Sequence, residues 1–395
     1  MSEQLKILLL EDSETDADLL VRFLNKEKLK FSCTRVWNKN MFVSEIKKRE
    51  FDLIIADHNL PQFSGMEAFN ICKNEKRNFP FILVTGSVSE KLLTEYAKEG
   101  IDDYILKDNL LRLPSAIDKI LDKKKIEKLN AELSETNNKL NNAYFDIKDS
   151  INYAKILQNA ILPDRSILYD SFPGSFIIFK PKDILSGDFY WFEKKENSFI
   201  VAVADCTGHG VPGALLAMMG NNLITETVRH KPIAAQPSEI LSRLNNHVKR
   251  ILKREKTSVS DGMDIVMCKI DLKNKELIYC GAKRPLFIER GEALIEYKPD
   301  KISIGEMDTT PAQFTDRRIE IKSGDRIFLF TDGFVDQFSE KTDRKIMIKR
   351  LKEIILESCG LPYPKQKKFI SDFFEKWKGD KEQTDDVLLM CIAIP

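Results

Sequence analysis

Acidic residues border apolar runs throughout the C-terminal half of this 395-residue chain. Asp205 ends the apolar run at residues 199–204, which is typical of a buried strand. Gly208 and Gly210 then predict a tight turn before a helix that begins near Pro212. The other acids beside predicted strands are Asp188, Asp332, Asp385 and Asp386. A carboxylate at a strand end, next to a close approach of backbone, is typical of sites that hold a hard cation or a phosphate.

The residue types that could act as metal ligands indicate which metal ions these acids would bind. The chain has four histidines and seven cysteines but no CxxC pair and no HExxH motif, so a structural zinc site is not expected. Carboxylates without nitrogen or sulfur ligands favour Mg²⁺ or Mn²⁺. Two such ions about 3.5–4 Å apart can activate a bridging water and stabilise in-line displacement at phosphorus. The acids therefore predict a two-metal hydrolytic site, although Asp385 taken alone fits an ordinary cap equally well.

Polar residues also end the predicted strands of the N-terminal third. The apolar runs at residues 6–10, 51–56, 81–84 and 103–106 end, in turn, at Glu11–Asp12, Asp57, Thr85 and Lys107. Strands alternating with helices predict a parallel sheet covered on both faces, in which ligands bind at the carboxyl ends of the strands. The three carboxylates there would repel one another without a cation, whereas a hydroxyl and an ammonium group suit phosphoryl oxygens.

The chain between these two regions is predicted to be one long helix. No proline or glycine occurs between Ser115 and Leu162, and the composition is rich in Lys, Glu, Asn and Leu. Apolar residues recur at spacings of three and four: Ile126, Leu129, Leu133, Leu140, Ala143, Ile147, Ile151 and Ala154. Thr136 interrupts this heptad seam, and the 143-147-151 spacing is a stutter. The pattern predicts a parallel two-stranded coiled coil, and hence a homodimer; a solvated single helix or a frayed linker is the alternative.

The predicted strands and helices indicate the domain organisation, and the composition excludes several classes of protein. Many short strands and two helical regions after residue 163 predict an α+β sandwich, which divides the chain at 1–121, 122–162 and 163–395. A net charge of +1 indicates no nucleic-acid partner, and no apolar run approaches the length of a membrane span. Scattered cysteines among apolar neighbours predict reduced thiols and a cytoplasmic location.

The N-terminal motifs resemble those of the response-regulator receiver domain over about residues 4–121. The resemblance includes the sequence Asp-His-Asn-Leu-Pro at 57–61 followed by Ser64-Gly65. It implies a doubly wound, flavodoxin-like fold with a five-stranded parallel sheet, and phosphorylation of Asp57 by a sensor histidine kinase. It also implies functional residues. These are Glu11, Asp12, Asp57 and the Asn59 carbonyl for Mg²⁺, Thr85 and Tyr104 as a switch pair, and Lys107 as a contact of the phosphoryl group.

One position departs from the receiver pattern. The family usually has a cis-proline after the lysine, whereas Asp108 follows Lys107 here. A cis bond before a residue other than proline costs about 2.5–4 kcal/mol, so a trans bond is expected.

The C-terminal motifs look like those of the SpoIIE-like branch of the metal-dependent PPM protein phosphatases. They are GDFYW, ADCTGHG, FTDG and TDD in that order, and the resemblance covers nearly all of residues 165–395. It implies hydrolysis of phosphoserine or phosphothreonine, often on anti-sigma-factor antagonists, by metal-activated water without a covalent intermediate. By the resemblance Asp205 bridges two Mn²⁺ or Mg²⁺ ions. The remaining implied ligands are Asp188 with the Cys206 carbonyl for one ion, and Asp332 with Asp385, or less favourably Asp386, for the other.

Some roles stay open at this level. Cys206 replaces a glycine that is usual in the wider superfamily, but only its carbonyl is needed. Asp264, in the sequence Asp-Gly-Met-Asp at 261–264, is a candidate metal contact or a structural residue, and His209 is a candidate general acid or an exposed loop residue. The superfamily's phosphate-binding arginine has no clear counterpart, which leaves Lys180 and Lys182 as weak candidates.

The motifs together predict a response regulator whose output is a serine/threonine phosphatase. Phosphorylation of Asp57 is expected to alter receiver pairing and the linker, whose end at residues 158–162 then adjusts the phosphatase metal site. The competing interpretation is a phosphorylation-controlled binding or dimerisation module with an inactive phosphatase-like domain.

Overall fold

The computed structural model describes residues 4–77, 79–86, 98–195, 198–229, 236–252, 261–306 and 313–395. The chain divides into two compact units, Met1–Ala143 and Tyr144–Pro395.

The N-terminal unit contains a five-stranded parallel sheet in the order β2-β1-β3-β6-β7. Its strands are β1 (Leu5–Leu10), β2 (Phe31–Val36), β3 (Leu53–Asp57), β6 (Phe81–Thr85) and β7 (Asp103–Leu106). The short strands β4 (Asn59–Leu60) and β5 (Phe63–Ser64) form a separate hairpin. Three helices lie between β1 and β6 in the described residues: α1 (Glu14–Lys26), α2 (Lys39–Lys48) and α3 (Gly65–Asn74). The predicted receiver-type parallel sheet is confirmed.

The central strands of this sheet are apolar because helices or other segments cover both faces. Side chains of β3 alternate between two cores, with Ile54 and Ala56 in one and Leu53 and Ile55 in the other. Burial on both faces explains the continuous apolar runs that marked these strands in the sequence. The carboxyl ends of β1, β3 and β6 meet at one edge of the sheet, where the polar residues predicted from the sequence lie.

A single helix, α4 (Leu113–Ile161), spans 49 residues and crosses the boundary between the two units. It ends two residues before Pro163, as expected from the restriction that proline places on preceding residues. The predicted long helix is therefore confirmed. Several apolar residues of the predicted seam are more than half exposed: Ile126, Leu129, Leu133, Leu140 and Ile147.

The C-terminal unit packs two antiparallel five-stranded sheets, ordered β15-β12-β11-β10-β9 and β14-β13-β16-β17-β8. The strands of the first sheet are β9 (Asp188–Lys194), β10 (Phe199–Cys206), β11 (Met263–Asp271), β12 (Glu276–Ala282) and β15 (Arg317–Glu320). The strands of the second are β8 (Phe176–Lys180), β13 (Leu286–Arg290), β14 (Ala293–Tyr297), β16 (Arg326–Phe330) and β17 (Val387–Ala393). The predicted sandwich is confirmed.

Helices pack against both sheets of this sandwich. They are α5 (Arg165–Ser171), α6 (Gly210–Arg229), α7 (Pro237–Leu252), α8 (Gly333–Asp336), α9 (Met347–Glu357) and α10 (Tyr363–Lys378). Val201 and Val203 of β10 pack in the core that also contains residues of the second sheet, while Ala202 and Ala204 pack in the core with α6 and α7. The strand that ends at Asp205 is thus buried on both faces and held rigidly.

Candidate metal centres

Three aspartates lie level on neighbouring strands of the first sheet. In the antiparallel register Asp205 of β10 is opposite Asp188 of β9 on one side and Asp264 of β11 on the other. Residues directly opposite in a sheet point to the same face and have Cβ atoms about 4.5–5.5 Å apart. This row brings Asp264, which the sequence left without a role, beside two of the predicted metal ligands.

The second sheet supplies the other acids of this centre. Asp332 precedes the short helix α8, and Asp385 and Asp386 directly precede β17. A cavity of about 360 Å³ is lined by Asp205, Asp264, Asp332 and Asp385, together with Arg284. Three of the acids that the sequence marked at separate strand ends, together with Asp264, therefore surround one space. Asp188 lies deeper, almost wholly buried, and accepts a hydrogen bond of 2.7 Å from the Thr331 hydroxyl.

A glycine allows the segment after β16 and the segment before β17, both in the second sheet, to approach each other closely at this centre. A Cβ on Gly333 would lie only 1.8 Å from the carbonyl oxygen of Asp386. The FTDG motif therefore needs glycine at this position so that Asp332 and the pair Asp385–Asp386 can lie side by side.

Asp386 holds a neighbouring loop rather than facing the cavity. Its two carboxylate oxygens accept hydrogen bonds of 2.7 Å from the backbone N–H groups of Lys182 and Gly187. The side chain of Gln158, near the end of α4, holds the same loop through the backbone of Ser186. The loop leads directly into Asp188, so these contacts fix the start of β9.

Burial and mutual repulsion make the carboxylates of this centre hard to ionise. Burial raises the pKa of Asp188 well above its ordinary range, and the charge of Asp205 raises it further. Burial likewise raises the pKa of Asp205, where the Arg284 guanidinium opposes the shift and Asp332 adds to it. The pKa of Asp385 is also raised, mainly by burial. Buried carboxylates that repel one another fit divalent cations, which would remove that repulsion.

Arg284 is the residue of this centre that the sequence reasoning missed. One terminal nitrogen of its guanidinium, Nη2, lies 2.5 Å from Asp205 Oδ2 and 2.7 Å from Asp332 Oδ2. The same nitrogen lies 3.5 Å from Asp264 Oδ2. The only signal in the sequence is the position of Arg284 just beyond a predicted strand and before Pro285, which is a weak one.

Of the other candidates from the sequence, Cys206 lines the cavity, whereas His209 and Lys180 are not among the described residues that line it. His209 Nδ1 lies 2.7 Å from Asp183 Oδ2, and both side chains are about half exposed. Cys206 is buried directly after Asp205, where burial raises the pKa of its thiol. Lys180 forms an ion pair with Glu375 and lies over the ring of Phe374.

The N-terminal unit contains a second acidic centre. Oxygens of Glu11, Asp12 and Asp57 all lie within 4.8 Å of one another, the spacing expected of a cation site. Burial raises the pKa of Glu11, and the charge of Asp57 adds to the shift. The Asn59 backbone N–H donates to Asp57 Oδ1 at 3.2 Å. The sequence prediction that these carboxylates converge thus agrees with the geometry.

Lys107 joins this centre from the end of β7. Its ammonium group lies 2.8 Å from Asp57 Oδ2 and 2.6 Å from Asp16 Oδ2, the latter a contact that the sequence did not indicate. Burial alone would lower the pKa of Lys107, but the hydrogen bonds to these two carboxylates outweigh it and raise the pKa. The peptide bond that joins Lys107 to Asp108 is trans, as expected.

The switch residues predicted by resemblance lie on adjacent strands of the same sheet. Thr85 is fully buried at the end of β6, and Tyr104 lies in β7, opposite Leu83 of β6. The Arg112 guanidinium lies 5.9 Å from the centre of the Tyr104 ring.

Comparison with known families assigns both units. Residues 195–395, just over half of the chain, match the family model described as Stage II sporulation protein E (SpoIIE). Residues 7–118 match the response regulator receiver domain. Among the helices of the described residues, none is both long and apolar enough to cross a membrane.

Individual relatives agree with this assignment. The SiaA-PP2C domain of Pseudomonas aeruginosa is 28% identical, with a TM-score of 0.58 over 64% of this chain and 99% of that domain. Chemotaxis protein CheY-3 of Vibrio cholerae is 25% identical over 130 residues, which are 31% of this chain and 96% of that protein. Hybrid signal transduction histidine kinase G of Dictyostelium discoideum is 28% identical over 109 residues, 27% of this chain. The match spans only 3% of that kinase, so the likeness concerns a small part of it.

Proposed function

Because the chain belongs to the SpoIIE family, we propose that its C-terminal unit is a metal-dependent protein-serine/threonine phosphatase controlled by the receiver domain. The observation that carries this proposal is the set of acids from two sheets around one cavity. The proposed substrate is a protein that carries phosphoserine or phosphothreonine, such as an anti-sigma-factor antagonist. The polar, acidic cavity suits a charged phosphoryl group only when cations neutralise it.

The proposed cofactors of this unit are two Mn²⁺ or Mg²⁺ ions. Their ligands would be the carboxylates of Asp188, Asp205, Asp332 and Asp385 and the carbonyl of Cys206. Such ions, when bound, activate a water molecule and neutralise charge that develops at phosphorus. The surrounding residues position the ligands: the Thr331 hydroxyl fixes Asp188, and Asp386 fixes the loop before β9.

In the receiver domain we propose that Asp57 accepts a phosphoryl group from a sensor histidine kinase. Glu11, Asp12, Asp57 and the Asn59 carbonyl would hold Mg²⁺, and the spacing of the three carboxylates supports this. Lys107 already lies 2.8 Å from Asp57, where it would neutralise the phosphoryl group. Thr85 and Tyr104 remain the proposed switch pair.

The linker is the proposed route from the receiver domain to the phosphatase domain. The exposed apolar seam on α4 supports pairing of two chains through this helix, because apolar side chains at heptad spacing are buried by a partner helix. A change in pairing after phosphorylation would reach the phosphatase centre through Gln158, which contacts the loop that leads into Asp188.

Hydrolysis of a generic phosphate ester by the full chain, with and without Mn²⁺, tests the enzyme assignment. We expect Mn²⁺-dependent turnover that is lost in Asp205→Ala and retained in Asp343→Ala, which removes an exposed aspartate paired with Lys381. A wild-type protein that binds Mn²⁺ without turnover would favour the alternative, a phosphorylation-controlled binding or dimerisation module. A phosphoproteomic comparison of cells with wild-type protein and Asp332→Asn would then identify the substrate.

A further inference from the structure

Two hydrogen bonds fix the backbone of the turn that carries Arg284. The Tyr279 hydroxyl donates to the Arg284 carbonyl at 2.9 Å, and the N–H of the preceding Lys283 donates to the Asp300 carbonyl at 2.8 Å. Lys283 adopts a left-handed conformation with φ of +56°, which sharply turns the chain between β12 and β13. The Arg284 side chain therefore lines the cavity from a backbone position that these contacts fix.

The guanidinium of Arg284 has a donor group without a hydrogen-bond acceptor. Its Nη2 atom contacts Asp205 and Asp332, but its Nε–H is buried without a hydrogen-bond acceptor. Burial alone would lower the pKa of Arg284, but the charges of Asp205 and Asp332 outweigh it and raise the pKa. Arg284 thus stays a cation, and its buried donor without an acceptor is unfavourable.

The partners of Arg284 are the residues that would hold the metal ions. If cations bind to Asp205 and Asp332, they compete for the carboxylate oxygens that the guanidinium contacts. The side chain, only 12% exposed, then needs a new anionic acceptor within the same cavity. We propose that this acceptor is the phosphoryl group of the substrate, and that Arg284 is its binding residue; the proposal rests on the phosphatase function proposed above.

The chemistry of the side chain fits this role. A guanidinium presents a planar fork of N–H donors that matches two oxygens of a phosphoryl group. It forms and breaks no covalent bond; it holds the phosphoryl oxygens and balances their charge while water attacks phosphorus.

The other cations near the cavity have different partners. Of the described residues that line it, Lys283 is the other cation, and its ammonium group lies 3.5 Å from Glu306 Oε2. Lys180, a candidate from the sequence, is paired with Glu375. Lys182 is not among the described residues that line the cavity, although its backbone N–H donates to Asp386. Arg284 is therefore the better candidate for the phosphate-binding residue that the sequence could not identify.

The test uses the full-length protein and two binding measurements. Calorimetry gives the affinity for Mn²⁺, and then the affinity of the Mn²⁺-loaded protein for inorganic phosphate, with KM and kcat for a phosphate ester measured alongside. We expect Arg284→Ala to weaken phosphate binding and raise KM by at least about tenfold, because charge-assisted hydrogen bonds are lost. Its Mn²⁺ affinity should be unchanged or higher, because a competing cation is removed.

Two further variants make the result specific. Arg284→Lys keeps the charge but loses the fork, so its phosphate affinity should lie between those of Arg284→Ala and the wild type. Arg318→Ala removes an exposed arginine paired with Glu276 and should match the wild type in both measurements. If Arg284→Ala does not fold, Arg284→Gln, which keeps N–H donors without the charge, takes its place.

Two outcomes would overturn the proposal. Phosphate affinity within twofold of the wild type would show that Arg284 does not bind the phosphoryl group. A parallel loss of Mn²⁺ affinity would show that it only organises the carboxylates. In either case Mn²⁺-dependent hydrolysis by the wild type would leave the phosphatase assignment intact, whereas its absence would refute that assignment itself.

Discussion

Gln158 and Ser186 exchange two hydrogen bonds within the C-terminal unit. The amide nitrogen of Gln158 donates to the Ser186 carbonyl at 2.6 Å, and the Ser186 N–H donates to Gln158 Oε1 at 3.2 Å. Gln158 belongs to the last turn of α4, and Ser186 lies two residues before Asp188. Rotation or fraying of the helix end would therefore move the loop that sets the position of a buried carboxylate.

The first prediction concerns this contact. Gln158→Ala leaves two buried backbone groups of Ser186 unpaired, which costs about 1–3 kcal/mol and lowers Tm of the unit by several degrees. We also expect weaker Mn²⁺ binding, because Asp188 loses its fixed position; thermal unfolding and calorimetry measure the two effects. Asn159→Ala, at the exposed neighbouring position, is the control. Equal Mn²⁺ affinity in Gln158→Ala and wild type would rule out this coupling.

The second prediction concerns receiver control. Asp57→Ala removes the proposed phosphoryl acceptor, so a small-molecule phosphodonor should no longer change phosphatase turnover, while basal turnover persists. Turnover measured with and without the phosphodonor checks this, and Asp118→Ala, an exposed aspartate of α4, should respond as the wild type does. Stimulation or inhibition of the Asp57→Ala protein equal to that of the wild type would remove the control scheme.

The third prediction concerns the close approach at Gly333. Gly333→Ala places a Cβ 1.8 Å from the Asp386 carbonyl, which forces the backbone at residues 385–386 to move. We expect a large loss of Mn²⁺ affinity and a destabilisation above about 2 kcal/mol by chemical denaturation. Gly291→Ala meets no neighbouring atom and has only the strain of a left-handed backbone, about 1–2 kcal/mol, so it should keep Mn²⁺ affinity. Similar metal affinities for the two variants would contradict the argument.

The fourth prediction concerns pH. Burial first, and then the neighbouring carboxylates, raise the pKa values of Asp188 and Asp205, so these groups hold protons at a higher pH than ordinary aspartates. Metal binding requires the ionised form, and protons therefore compete with Mn²⁺ as the pH falls. We expect Mn²⁺ affinity to decline, as the pH falls from neutral, well above the range near about pH 4 in which exposed carboxylates protonate. A constant affinity from neutral pH down to that range, measured by calorimetry, would contradict the expectation.

How far the sequence predicts this molecule depends on whether the residues around a position form a recognisable local pattern. Asp57, Asp205 and Asp332 have such a pattern, because each lies at the end of a continuous apolar run that burial on both faces requires. Strand β2 has none, since this edge strand carries the polar sequence Ser-Cys-Thr-Arg at residues 32–35. Its register against β1 depends on tertiary pairing, which no local pattern reveals.

Contacts between distant segments were the other part that the sequence could not supply. Arg284 meets Asp205 across 79 residues, and Lys107 meets Asp16 across 91. A single arginine or aspartate in a turn has no distinctive pattern, so only the folded sheets reveal these partners. Asp264 is an intermediate case: the sequence made it a candidate metal contact or a structural residue, and the antiparallel register then aligned it with Asp205.

The level row of Asp188, Asp205 and Asp264 makes the alignment of three strands a condition of the centre itself. A slip of β10 by one residue would exchange its two faces, so that Asp205 would leave the row and Ala204 or Cys206 would take its place. A sheet assembled one residue out of step would therefore lack the acidic row altogether, and the capacity to bind metal should appear in refolding only when the correct strand alignment does.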